Sequence, residues 1–184
     1  MPAIAEDRLP IAARARELAV DVLYSEKGQF ADARGWRHLS RWFGLPGAIL
    51  AALAGAQILA EFGGVILPAL TAFASAAVTA AIGFLKPEEC ATRHHNAGTA
   101  YGGLRRRLRH FVQIDCFLAD VRTADLAAKL DALVAEVNEL QRVAPPISSG
   151  GFKAAKQAIE GGTADYTENE LVTAAGPIPT EARP

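Results

Sequence analysis

Between Arg41 and Lys86 the chain has no lysine or arginine and a single acid, Glu61. A soluble helix keeps one polar face, so this gap excludes an ordinary surface helix from the middle of the chain. Cysteine is nearly absent too. Cys90 and Cys116 are the only two, too few for a disulfide framework, and they read as reduced thiols. There is no basic excess: the formal net charge is −1, whereas a dedicated nucleic-acid binder carries a positive domain. Nucleic acid is therefore not expected as a partner. The residues up to Ser25 include acids and contain no apolar h-region, which argues against a cleavable signal peptide.

Catalytic groupings are missing as well. His94 and His95 are neighbours, so on a helix they point about 100° apart and do not share one metal. Cys90 and His94, at i and i+4, offer two ligands where zinc takes three or four. Tyr101-Gly102-Gly103 follows no strand and lacks phosphate-loop spacing. No enzyme, metal or cofactor is expected, and Gly98, Gly102 and Gly103 suit close helix packing instead.

What fills the uncharged stretch is two apolar segments, Gly44 to Ala60 and Val65 to Leu85, separated by Glu61 and a glycine pair. Roughly 20 apolar residues cross a bilayer core of about 30 Å. The sequence thus predicts two membrane spans, about 43–61 and 65–85, joined tightly enough to be antiparallel neighbours. Gly47, Ala51 and Gly55 recur every four residues, as do Ala72, Ala76 and Ala80. Small ridges of this kind let membrane helices approach closely, and they predict a homo-oligomer. Thr71, Ser75 and Thr79 form a hydroxyl stripe and Gln57 is the one strongly polar side chain of the first segment. These four are candidates for lining a water path between assembled copies or for helix packing, with packing the commoner use.

The flanks carry the missing charge. Arg34, Arg37, His38 and Arg41 precede the spans, and Lys86, Arg93 and the cluster Arg105, Arg106, Arg107 and Arg109 follow them. Positive flanks stay in the cytoplasm, so both termini are expected there, with Trp36 and Trp42 near the interface. The cluster around Arg106 lies beyond the bilayer edge and reaches anionic lipid only if its helix lies along the surface.

Outside the spans the reading is helical throughout. Met1 to Leu9 is expected to be disordered. Ile11 to Arg41 has an apolar face of Ala15, Leu18, Ala19, Val22, Phe30 and Ala33, with Glu26 and Lys27 largely elsewhere and Gly28 and Gly35 as candidate bends. Pro87 opens a helix over Glu88 to Val121. Thr123 and Asp125 are candidate caps for another, whose Leu126, Leu130, Leu133, Val137 and Leu140 repeat at threes and fours. That face should pack on Leu104, Leu108 and Phe111 and on the region of Leu18 and Val22. Pro145-Pro146 ends this helix, Ser148 to Gly151 forms a turn, and Phe152 to Glu160 a short helix. The tail 166–184 should be disordered. The fold class is all-α: a two-transmembrane helical hairpin with an N-terminal amphipathic helix and long C-terminal cytoplasmic helices.

This order of parts, with the segments PEECATRHHNAGTAYGGLRRRLRHF (Pro87 to Phe111) and NELQRVAPPIS (Asn138 to Ser148), resembles the bacterial SLATT families. These are two-transmembrane effector domains named for association with SMODS nucleotidyltransferases and SLOG nucleotide sensors. The resemblance covers about residues 10 to 165. It is carried most by His94, Tyr101, Leu104, Arg105 and Arg106, an H-x(6)-Y-x-x-L-R-R run. It implies a multi-pass protein of the bacterial inner membrane that forms pores or perturbs the membrane in anti-phage defence. A separately encoded nucleotide-sensing or nucleotide-synthesising protein would be the trigger, since this chain carries no sensor domain. Two alternatives stand beside it: a membrane scaffold that anchors a partner without conducting, and a soluble helical interaction module.

Overall fold

A computed structural model describes residues 5–60 and 64–162. Residues 1–4, where the expected disordered lead begins, residues 61–63 and the tail 166–184 lie outside the described residues. Every regular element among the described residues is helical: α1 (Leu9–Leu59), α2 (Ile66–Leu85), α3 (Pro87–Gln113), α4 (Thr123–Val143) and α5 (Ser149–Glu160). Short 3-10 turns occupy Glu6–Arg8 and Asp115–Phe117.

The amphipathic N-terminal segment and the first apolar segment form one helix. α1 has 51 residues, about 76 Å at the α-helical rise. It runs through both glycines read as bends. At Gly28 a Cβ would lie 2.9 Å from Ile147 Cγ2, so glycine there serves a close approach. Nothing in the structure accounts for Gly35, which has open space around it. Pro46 lies inside α1, where it removes the N–H that would bond the Trp42 carbonyl.

α2 and α3 run back along α1 in one antiparallel register. Thr71 Oγ1 donates to Gln57 Oε1 at 3.0 Å and Ser75 Oγ to the Gly47 carbonyl at 2.9 Å. Further along, His94 Nδ1 lies 2.7 Å from Gln29 Oε1, and Arg105 Nε lies 2.6 Å from Glu26 Oε2. α2 passes into α3 at Lys86, whose φ is +45°. Its N–H closes α2 on the Ile82 carbonyl at 2.9 Å, and its own carbonyl opens α3 by accepting the Cys90 N–H at 3.1 Å. Pro87 keeps the preceding residue out of the right-handed region while itself suiting the first helical position.

The apolar core lies at the end of α1 remote from α2. Ala12, Ala15, Leu18 and Val22 of α1 meet Tyr101, Leu104, Leu108 and Phe111 of α3 and Leu126, Leu130, Leu133 and Val137 of α4. The spacing of threes and fours in α4 therefore lands on the surfaces expected for it. Three details differ from the sequence reading. α3 ends at Gln113, because the Asp115–Phe117 turn buries Cys116 and brings Asp115 within 2.5 Å of Lys129 Nζ. Burial, then the Asp115 charge, pushes the Cys116 thiol pKa up. Thr123 and Asp125 are not caps: the Thr123 hydroxyl bonds Asp7, and Asp125 pairs with Arg122 at 2.7 Å. Glu6 to Leu9 is ordered, since Arg8 donates to the Leu118 carbonyl at 2.5 Å and the Val121 carbonyl at 2.6 Å.

A non-glycine residue in the left-handed region costs about 1–2 kcal/mol. Lys86→Gly should relieve that cost, less the entropy glycine adds to the unfolded chain, and raise unfolding free energy by roughly 0.5–1 kcal/mol. Denaturant unfolding in mild detergent, followed by helical circular dichroism, measures it. A clear loss of stability would contradict the left-handed joint.

Candidate membrane segment and the polar row below it

Two helical stretches, one in α1 and one in α2, are long and apolar enough to cross a membrane. The most apolar part of each is only 11% buried inside the chain, so neither is a core helix of this chain. Bulky side chains stand outward: Trp42 at 73% exposure, Phe73 at 76% and Phe84 at 88%, with Leu45, Ile49, Leu53, Ile66 and Leu70 also exposed. Monomeric soluble proteins rarely leave contiguous apolar patches of more than a few hundred Å² uncovered.

The helix pair has two unlike sides. Between α1 and α2 runs an open groove of about 520 Å³, lined by Ala51 and Ala54 of α1 and by Ala72, Ser75, Ala76 and Thr79 of α2. The bulky residues lie away from this groove. The structure also divides the Gly47, Ala51, Gly55 ridge. Gly47 is buried between the two helices, where a Cβ would stand 3.1 Å from Val78 Cγ1. Ala51 borders the groove, and Gly55 has nothing within 4 Å. The reason is geometric: each i, i+4 step turns about 40° around a helix, so a ridge that starts on the partner drifts off it within two steps. The hydroxyl stripe drifts the same way. Thr71 and Ser75 bond to α1, and Thr79 stands exposed at the groove.

Below this pair, α1 carries a buried polar row that the sequence reading missed. Glu26 (7% exposed), Gln29 (1%) and Asp32 (9%) follow at threes on the face that holds Val22 and Ala33. Glu26, placed away from the apolar face above, in fact belongs to it, because that face meets partners along its whole length. Each row member has a different one. Glu26 pairs with Arg105 of α3. Gln29 donates from Nε2 to the Pro145 carbonyl at 2.7 Å and faces His94 with Oε1. That orientation makes His94 Nδ1 the donor. Asp32 accepts the Ser148 N–H at 2.7 Å and its Oγ–H at 2.5 Å. The clue available in sequence was the unbroken three-and-four spacing from Ala12 through Ala15, Leu18, Val22 and Glu26 to Gln29.

The residues singled out in α3 are brought together here as interface rather than as a reactive site. His94 and Arg105 hold the polar row, Tyr101 and Leu104 enter the core, and Arg106 is exposed. Burial pushes the Tyr101 phenol pKa up, with a Ser25 hydrogen bond partly offsetting it. Two of the three nearby glycines make room. A Cβ on Gly98 would meet the Phe30 ring at 3.0 Å, and one on Gly102 the Glu26 carboxyl at 3.4 Å, whereas Gly103 has only Arg106 within reach. The basic cluster does not lie along the apolar pair: Glu26, the partner of Arg105, is about 24 Å down the α1 axis from Trp42. That is beyond a Debye length of about 8 Å at physiological salt. Among the described residues no three His, Cys, Asp or Glu side chains are grouped to hold a metal ion. No family model, curated protein or solved structure matches the chain.

Glu26 and Arg105 have side chains only 9% and 15% exposed. Breaking such a pair by removing one partner costs about 3–5 kcal/mol, because the other charge stays buried. Glu26→Leu should therefore destabilise the fold by about 3 kcal/mol, and Glu26→Leu/Arg105→Met by clearly less. Unfolding free energies of the two single variants and the double variant close the cycle. Additive losses would mean the pair is not coupled.

Proposed function

We infer that α1 and α2 form a transmembrane hairpin with both termini in the cytoplasm, and that the protein acts as a membrane effector built from several such hairpins. The observation that carries this reading is the belt of exposed bulky apolar side chains on two adjoining helices whose faces bear no charge from Trp42 to Ala60 and from Gly64 to Leu85. α2 alone is 20 residues, about 30 Å long, and so matches a bilayer core. Arg41 and Lys86 then fall at one boundary and the turn at the other, which is the orientation that positive flanks favour.

The two-sided pair supports self-association. In lipid, bulky side chains face the acyl chains, and small ones let neighbouring helices close in. The groove of Ala51, Ala72, Ala76 and Thr79 is the side on which a second hairpin would pack, and one hairpin encloses no water path. Thr79 is the hydroxyl of the stripe left for such a path, since Thr71 and Ser75 have partners on α1. The SLATT resemblance deepens the proposal. Both segments that carry it converge on the polar row of α1, His94 and Arg105 from one and Pro145 and Ser148 from the other. On this reading the chain perturbs the bacterial inner membrane in anti-phage defence, when a separately encoded nucleotide-sensing or nucleotide-synthesising protein engages its cytoplasmic helices.

Carbonate extraction of membranes should leave the protein in the pellet, and a soluble module would wash out. Orientation is read with Val65→Cys, at a site 86% exposed at the start of α2, in a background lacking Cys90 and Cys116. An impermeant thiol reagent should label it in intact cells. Labelling only after lysis would invert the topology.

The divided glycine ridge makes self-association separable from folding. A Cβ on Gly55 would have nothing within 4 Å, so Gly55→Leu should keep helicity and stability while reducing crosslinked oligomers in membranes. Gly47→Leu, pressed against Val78, should destabilise the pair itself by about 1–3 kcal/mol. Unchanged crosslinking in the Gly55 variant would remove this side of the hairpin from the assembly.

A further inference from the structure

We propose that α5, with the residues leading into it, is a detachable strap over α1 that docks chiefly through one carboxylate, Asp32. α5 packs along α1 and makes no comparable contact with α3 or α4. It contributes no residue to the apolar cluster of α1, α3 and α4. Of its residues only Gly151 and Ala155 are buried, and Phe152 stays 54% exposed even where its ring stacks on Tyr24.

What fixes the strap is polar and local. Asp32 takes both the N–H and the hydroxyl of Ser148, and Ser148 Oγ in turn accepts the Gly151 N–H at 2.9 Å. Ser148 is thus the N-cap of α5 while it is tied to α1, and the Asp32 charge lies at the helix end that favours an anion. The fit is tight enough to demand glycine: a Cβ on Gly151 would stand 2.5 Å from Asp32 Oδ1. This is why the helix starts at Ser149, three residues before the start expected from sequence.

The lead-in lies on the same row. Ile147 covers Gly28, and the Pro145 carbonyl takes the Gln29 amide whose other end faces His94. A strap held in this way can leave without uncovering the aliphatic core. Its departure bares the Asp32 carboxylate, the Gln29 amide and the Tyr24 ring on a helix that continues, about 15 Å further on, into Trp42 and the apolar pair. The two positions of α5 therefore constitute a built-in switch on the cytoplasmic part of α1. The proposal holds whether or not α1 and α2 cross a bilayer.

Amide hydrogen exchange on the full chain in mild detergent tests it, because local openings appear as segments that exchange independently of the core. In the wild type, amides 152–160 should exchange through an opening that leaves 104–111 and 126–137 protected. Asp32→Ala and Gly151→Ala should each speed exchange in 152–160 by about tenfold or more while the core segments keep wild-type rates. In Asp32→Ala/Gly151→Ala the second change should add little, since the new Cβ no longer meets a carboxylate. Unchanged protection of 152–160 in both single variants would overturn the proposal, as would equal acceleration of α5 and core. If the variants do not fold, the wild type decides alone: α5 amides as slow as those of the core would show one cooperative unit and no strap.

Discussion

One straight constraint governs this molecule: a single helix, α1, lies along every other layer. Because 51 residues of it are continuous, its partner-facing side must supply whatever each level requires, with the angular phase set at 3.6 residues per turn. At the remote end that side is aliphatic, with Leu18 and Val22 against α3 and α4. In the middle it is the Glu26, Gln29, Asp32 row. Along the apolar pair it is Gly47 and Ala54, both buried against α2. The antiparallel register with α2 and α3 is kept across all three levels, so an error in one would propagate to the others.

Each level solves the same problem of burying polar groups in a different way. The Glu26 charge is matched by Arg105, and the Gln29 amide uses its donor and acceptor ends on different elements. Along the apolar pair the polar groups, Gln57 apart, are short hydroxyls. Ser75 finds the Gly47 carbonyl, and the single Thr71 O–H has Gln57 Oε1 and, on its own helix, the Leu67 and Pro68 carbonyls as alternative acceptors. An unmet hydrogen bond is costly in apolar surroundings, and a short hydroxyl can meet its own on a nearby carbonyl. Chain breaks are placed where they disturb none of this. Lys86-Pro87 lets α2 end and α3 begin without leaving the track of α1.

The same economy bears on the proposed function. A membrane effector needs an apolar part that associates and a cytoplasmic part that can receive a signal, mechanically joined. Here the join is α1 itself, with no linker to absorb a movement made at its lower half. The polar row is where two distant segments, α3 and the stretch from Pro145 to Ser148, are tied to that helix, so on the proposed reading it is the level at which a partner's action would be passed to the apolar pair. Its side chains hold structure.

Much of this was written locally. The uncharged stretch, the helical periods, the α4 face and the helix-starting prolines are properties of near neighbours in the chain, and hydrophobic spacing alone determines them. Local pattern could not decide which of several small residues would face α2, since Gly47, Ala51 and Gly55 look equivalent until a neighbour fixes the phase. Nor could it reveal that Glu26, Gln29 and Asp32 are inside, because a polar residue reads as a solvated face unless its partner is known. Those partners, Arg105, His94, Pro145 and Ser148, are between 65 and 116 positions away. The sequence by itself determined the helices and their apolar character. The burial of the polar row, the use of Gly28 and Gly151 and the two sides of the helix pair were decided only when distant segments met on α1, because hydrogen bonding and close packing depend on what is near in space.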